Sequence, residues 1–226
     1  MNLIAIIPAR SNSKRIPNKN LLKINTLPIL KIVYQNLRKM KIFNKIILSS
    51  DSNKIRNLAS QIGYDIIINR PKSLSRDNTS TSAVIEHSIN ELEKEISFSH
   101  VCCVYPMAIL IEKKDIKKGI KILKNKNEIV FPALKYSHPI QRAFRIKKSF
   151  VKYSISKKLL SNKTQLFADY FHDAGQFYVG QKFAWKNFEN CKKKSFIISS
   201  RIAIDVDNYE DFENLKMKYY LNNKIT

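Results

Sequence analysis

The feature that most constrains the fold is a series of short, uninterrupted apolar runs: LIAIIP at residues 3–8, KIILSS at 45–50, DIIIN at 65–69, HVCCVYP at 100–106 and EIVFPAL at 128–134. A strand with one face in water alternates apolar and polar residues, whereas a strand covered on both faces can be apolar throughout. The segments between the runs carry a helical period. After Pro28, a residue suited to a first helical turn, apolar side chains fall at 29, 30, 32, 33 and 37. A helix over about 53–62 stops at Gly63, a natural terminating residue, and further helices are expected over about 79–96 and 113–124. Strands alternating with helices imply right-handed crossovers, so the sequence predicts an α/β fold built on a doubly wound, mostly parallel sheet. A chain of 226 residues can bury a sizeable core as one domain, 1–226, without metal or disulfide staples.

The pattern changes at residue 135. From about 135 to 180, aromatics, short alternating runs and polar turns replace the long periodic segments until FAWKNFEN at 183–190. This stretch reads as a mixed antiparallel insertion, an arm suited to dimerisation. SFIISSRIAIDVD (195–207) then has strand character, and NYEDFENLKMKYYL (208–221) forms a closing amphipathic helix.

Three cysteines, Cys102, Cys103 and Cys191, fit buried thiols in a reducing cytoplasm better than a disulfide framework, and no Cys/His spacing suggests zinc. The N-terminus lacks a basic segment leading into a long apolar one, and no stretch is apolar for the roughly 18 residues a bilayer requires. A soluble, cytoplasmic protein is expected. The net charge of +23 raises nucleic acid or an anionic membrane as a partner, but the excess is mostly Lys spread along the chain beside abundant Asn and Ile, the drift expected of an AT-rich genome. The uneven part says more. Residues 1–50 hold ten Lys or Arg and no acid, while Asp205, Asp207, Glu210, Asp211 and Glu213 cluster near the C-terminus. An anion site and a cation site would use both.

Ligands of open α/β sheets bind beyond the carboxyl ends of the strands, where the polar turn after the first run lies. That turn is neither Walker A nor Gly-x-Gly-x-x-Gly. It offers Arg10, Ser11, Ser13, Lys14, Arg15, Lys19 and Asn20, hydroxyls and cations that could cradle phosphates or could form a solvated basic turn. Asp205 and Asp207, two apart on a strand, would project to one face and could share a divalent cation. Alternatively, Asp207 and Glu210 could cap the last helix.

IIPARSNSKRIPNKN (6–20) resembles the N-terminal signature of the nucleotidyltransferases that make CMP-linked nonulosonic acids: Ala-Arg, a short Gly- or Ser-rich turn, Ser-Lys, then Pro-x-Lys-Asn. The resemblance runs nearly the whole chain, through Ser49-Ser50-Asp51-Ser52, Arg70-Pro71 with LSRDNTSTS (74–82), and Asp205-Val206-Asp207. SHPIQRAF (137–144) and FHDAGQFYVG (171–180) resemble segments of the pseudaminic acid subgroup. The resemblance implies a Rossmann-like nucleotidyltransferase fold, a homodimer, and attack by the anomeric hydroxyl of a nine-carbon 2-keto sugar acid on the α-phosphorus of CTP. Pyrophosphate would leave and a CMP-sugar would remain, feeding glycosylation of flagellin or surface polysaccharide. It places Arg10 and Lys19 on the triphosphate, Ser13 and Asn20 in support of the loop, and Arg70, Asp77 and Ser80 near base and ribose. Asp205 and Asp207 would hold Mg²⁺ or another divalent cation, and with Arg10 and Lys19 they form the expected catalytic set. His138, Gln141, Arg142, His172, Asp173, Gln176 and Tyr178 would line the sugar-acid pocket. Another nonulosonic acid, legionaminic or N-acetylneuraminic, is the alternative substrate, and a basic nucleic-acid- or membrane-binding protein on a decayed enzyme fold is a distant one. One departure stands out: where the family carries Pro-Thr-Ser/Ala-Pro after the fourth strand, this chain reads Pro106-Met107-Ala108-Ile109, without the hydroxyl or the second proline.

Overall fold

The computed structural model describes residues 1–153 and 163–224. Strand β1 (Leu3–Pro8) lies at the middle of the sheet and is buried for all but its last residue, as its unbroken apolar run requires. It pairs in parallel with β4 (Lys45–Ser50) on one side and β6 (His100–Val104) on the other, and β5 (Ile66–Asn69) extends the parallel set beyond β4. Between them come a two-residue ribbon, β2 (Lys23–Ile24) with β3 (Leu27–Pro28), and helices α1 (Ile29–Met40), α2 (Asn53–Ile62) and α3 (Thr81–Leu92). Pro28 caps α1 rather than opening its first turn, and Gly63 ends α2 with φ of 95°, the left-handed geometry that favours glycine. Two apolar layers sandwich the sheet. Leu3, Ala5 and Ile7 pack to one side with α1, and Ile4 and Ile6 pack to the other with α3 and Trp185. All three cysteines are buried free thiols, as their apolar setting suggests.

Beyond β6 the sheet becomes mixed. After α4 (Lys113–Ile122), strand β7 (Glu128–Lys135) lies two places from β6, leaving a slot between them. The slot is filled by β11 (Phe177–Gln181), antiparallel to both neighbours, while β10 (Phe171–Asp173) pairs antiparallel with the far end of β7. The inserted segment thus contributes its last third to the central sheet. Its outer part is a hairpin, β8 (Phe144–Lys147) with β9 (Phe150–Tyr153), turned through Lys148 and Ser149 at positive φ. The remainder of the expected arm, 154–162, lies outside the described residues. A short α5 (Lys182–Lys186) leads to β12 (Lys192–Ile197), which pairs in parallel with β7 and carries exposed Lys192 and Lys193, charges that discourage pairing with another chain.

Strand character was expected through residue 207, but β12 ends at Ile197 and residues 203–207 join no ladder. Side chains hold that segment instead. Lys218, on the closing helix α6 (Tyr209–Lys224), donates to the Ala203 carbonyl at 3.0 Å, Gln176 donates to the Ile204 carbonyl at 3.1 Å, and Lys19 donates to the Val206 carbonyl. Among the described residues no helix is long and apolar enough to cross a membrane.

Candidate active site

The carboxyl ends of β1, β5 and β6 face a cleft of about 660 Å³, whose walls include Arg10, Ser13, Lys19, Asn20, Arg70, Asp77, Asp173, Tyr178, Asp205 and Asp207. The loop after β1 keeps its shape through internal bonds. Ile16 is an apolar anchor in the core, Asn18 takes a left-handed backbone geometry, and the Asn20 side-chain amide donates to the Arg10 carbonyl at 2.9 Å. Asparagine tolerates that geometry, so the turn needs no glycine. Three of its cations are already engaged by acids: Asp77 pairs with Arg10 at 3.1 Å and Lys14 at 2.8 Å, and Asp207 with Arg15 at 2.8 Å. Lys14 above all holds the Asp77 carboxyl below its ordinary range.

Arg70 is the most unusual group in the cleft. It is 4% exposed, its Nη2 lies 3.5 Å from Asp51, and neither its Nε nor its Nη2 has a hydrogen-bond acceptor among the described residues. Burial weakens its hold on the proton, and Asp51 opposes that effect. Buried donors without acceptors carry a cost, and Arg70 bears it while still lining the cleft.

At the other end, buried Val206 anchors the terminal segment and leaves Asp205 and Asp207 on the cleft side. Burial and the neighbouring Asp207 raise the Asp205 pKa. Burial also lowers the pKa of Lys19, against the pull of both acids. Gly175, at φ 62°, lies against Asp205, where an added Cβ would be 3.0 Å from the carboxyl carbon; the missing side chain gives that carboxylate room. Two carboxylates with open space suit a hard divalent cation that draws its other ligands from phosphate and water, and no third acid, His or Cys completes a metal cluster among the described residues. The helix cap expected of Asp207 and Glu210 falls one residue later: Asn208 accepts from the Asp211 amide at 2.9 Å, and Asp211 accepts from the amides of Asp207 and Asn208. The cap thereby leaves the Asp207 side chain to the cleft.

Asp173 and Tyr178 form the next wall. The Tyr178 hydroxyl donates to Asp173, whose pKa burial raises, and the Tyr178 ring meets Tyr105 edge-on at 6.0 Å. Other expected residues lie elsewhere. Ser80 caps α3 by accepting from the Ala83 amide at 3.2 Å, and buried Gln176 acts as a strut behind the wall. His138, Gln141, Arg142 and His172 are not among the cleft-lining residues: Gln141 donates to the Ala168 carbonyl, Arg142 lies over Phe167, and His172 packs on Tyr136. Sequence reasoning missed Thr81, bonded to the Tyr105 hydroxyl at 3.1 Å, and Arg76, both in the walls. Met107, Ala108 and Ile109 are buried, and Asn36 of α1 donates to the carbonyls of Ile109 and Ile111 at 3.1 and 2.9 Å, so packing and a side-chain clamp fix the turn without a second proline.

Comparison with known proteins agrees with this geometry. The chain is 32% identical to the pseudaminic acid cytidylyltransferase of Campylobacter jejuni subsp. jejuni serotype O:2, over 99% of each chain. It is 26% identical to the N-acylneuraminate cytidylyltransferase of Escherichia coli O18:K1:H7, over 93% of this chain and half of that protein. Among solved structures, CMP:2-keto-3-deoxy-manno-octonic acid synthetase complexed with CTP superposes with a TM-score of 0.70 at 13% identity, covering 98% of this chain and all of the other, which shows a shared fold. The family model described as "Cytidylyltransferase" matches residues 4–225. With that match spanning almost its whole length, the chain belongs to the cytidylyltransferase family.

Proposed function

We propose that this enzyme transfers CMP from CTP to the anomeric hydroxyl of pseudaminic acid, releasing pyrophosphate. The observation that carries the reading is the joining, in one cleft, of the cationic loop, the acceptor-less Arg70 and the Asp205/Asp207 pair. The near full-length likeness to the Campylobacter enzyme supports the choice of sugar.

Displacement at phosphorus needs positioning and charge stabilisation more than a protein nucleophile. Arg10 and Lys19 neutralise the triphosphate, Ser13 and Asn20 shape the loop beneath it, and Arg70, in the cleft wall, faces the acceptor edge of the base. Asp77 holds Arg10 and Lys14 in place until phosphate oxygens replace it. Asp205 and Asp207 would hold Mg²⁺, which when bound neutralises phosphate charge and lowers the pKa of a coordinated hydroxyl. Asp173 and Tyr178 orient the sugar acid. His138, Gln141, Arg142 and His172, on the insertion, reach it only if the arm or a second subunit brings them to the cleft. Exposed apolar residues on the hairpin, Phe150 at 80% and Ile146 at 69%, support a homodimer formed through that arm.

The test is a panel: CTP with pseudaminic, legionaminic or N-acetylneuraminic acid, reading pyrophosphate release. The expected result is turnover with pseudaminic acid at least tenfold above the others, and loss of about 10²–10³-fold in Asp205→Ala or Asp207→Ala, the scale of removing one transition-state stabiliser. Preference for another sugar would refute the substrate, and full activity in either variant the metal site.

A further inference from the structure

The sheet order puts β4 between β1 and β5. The segment leaving β4 therefore lies between the loop that leaves β1, which carries the phosphate-binding cations, and the segment that leaves β5, which carries Arg70. Backbone bonds tie both neighbours to the end of β4: the Ala9 amide donates to the Ser49 carbonyl at 2.9 Å, and the Arg70 amide to the Ser50 carbonyl at 3.0 Å. The next residue is Asp51, whose carboxylate continues the same role with side-chain chemistry. Its Oδ1 accepts from the Ser11 amide at 2.9 Å, its Oδ2 accepts from the Ser11 hydroxyl at 2.5 Å, and Oδ1 faces Arg70 Nη2 at 3.5 Å.

We propose that Asp51 is a positioning residue that makes the base-reading arginine and the phosphate loop one unit, so that recognition of the base and grip on the phosphates are set together. This rests on the reading of the cleft as a CTP site. Asp51 is not among the cleft-lining residues and acts through Ser11 and Arg70. Although burial disfavours its charge, the Ser11 bonds and the Arg70 cation hold its pKa below the ordinary range, so it remains a carboxylate able to serve both neighbours at neutral pH. At 3.5 Å Asp51 holds the Arg70 guanidinium mainly by charge, which fixes its direction, with Nε and Nη2 buried behind and the guanidinium in the cleft wall. Ser11 belongs to the same unit. Its side chain is used by Asp51 and lies outside the cleft walls, so removing its hydroxyl acts on Arg70 through that carboxylate.

Two ligands separate the halves of the unit: inorganic pyrophosphate reads the loop alone, and the ratio of CTP to UTP affinity reads the base. Both are measured calorimetrically on the full chain, so the identity of the sugar does not enter. Arg70→Met is expected to lower the CTP/UTP ratio about tenfold and to leave pyrophosphate affinity within about threefold, a base contact being worth a hydrogen bond or two. Asp51→Asn is expected to lower both by about tenfold or more, and Asp51→Glu to recover part of each. Ser11→Ala, the milder change should Asp51→Asn fold poorly, is expected to lower the CTP/UTP ratio at least threefold although Ser11 does not meet the base. A general loss of stability would weaken CTP and UTP alike and leave their ratio unchanged. An unchanged ratio in folded Asp51→Asn and in Ser11→Ala would overturn the coupling while leaving the CTP site intact; failure of the wild-type protein to bind CTP would overturn both.

Discussion

Substituting Gly175 by alanine tests the geometry at the acidic end of the cleft, because two separable effects meet there. The first is conformational: φ is 62°, and the Gly175 amide is fixed in place by its bond to Asp173 Oδ1 at 2.8 Å, so an alanine must accept the left-handed region at about 1–2 kcal/mol. The second is steric. The new Cβ would be 3.0 Å from Cγ, 3.2 Å from Cβ and 3.3 Å from Oδ1 of Asp205, well inside the roughly 3.5–4.0 Å at which carbon atoms rest, so the Asp205 side chain must retreat by about half an ångström. A misplacement of about 1 Å can cost about 10²-fold in rate, so about tenfold is expected here. Gly63→Ala supplies the control. Its φ of 95° demands a similar or larger conformational cost, but the nearest atom to the new Cβ is the Tyr34 hydroxyl at 3.8 Å, far from any cleft residue. Urea unfolding should show both variants destabilised. Pyrophosphate release should fall about tenfold in Gly175→Ala alone, with a correspondingly higher Mg²⁺ concentration for half-maximal rate. Wild-type turnover and metal requirement in a folded Gly175→Ala protein would refute the placement of Asp205 as the metal-holding carboxylate.

Three further outcomes follow. Buried Glu128 accepts from the Lys124 and Asn125 amides and pairs with Lys194 at 2.7 Å, an arrangement that depresses its pKa from 4.5 to about 2. Its stabilisation is therefore complete above about pH 4.5 and is lost as pH falls toward 2; Glu128→Gln should cost about 2 kcal/mol at pH 7, the scale of a charged hydrogen bond, and almost nothing below pH 2, read from urea midpoints. Asn36→Ala leaves two carbonyls without their donor and should lower stability by about 1–3 kcal/mol while raising the KM for CTP, since the clamped turn carries Met107 into the cleft wall; an unchanged Tm would contradict the clamp. Phe150→Asp with Ile146→Asp should shift the mass measured by light scattering from dimer to monomer, and an unaltered mass would exclude the hairpin as the contact.

The parallel half of the fold was legible because a strand covered on both faces must be apolar throughout, and LIAIIP, KIILSS and HVCCV say so directly. The seat of β11 was not. Antiparallel FYVGQ fits between β6 and β7 through pairings with residues far away in sequence, and local pattern holds no record of them. The same limit explains residues 203–207, where the alternation of Asp205, Val206 and Asp207 between cleft and core mimics a strand although three side chains, on Lys19, Gln176 and Lys218, replace the ladder. Within the cleft, the cations and acids could be expected from their clustering. The burial of Arg70 against Asp51 and the role of Asn36 could not, since burial and partner are properties of the folded chain.

The antiparallel seat of β11 also shapes what can change in this enzyme. Because that strand runs against its neighbours, Asp173 and Gly175, among the residues entering it, reach the cleft, and they close a continuous stretch that left the sheet at the end of β7. Both ends of the stretch are pinned by ladders to strands that keep their register whatever lies between. That wall can therefore be lengthened, shortened or exchanged as a single cassette, while the part of the cleft assembled from the ends of β1 and β5 stays as it is.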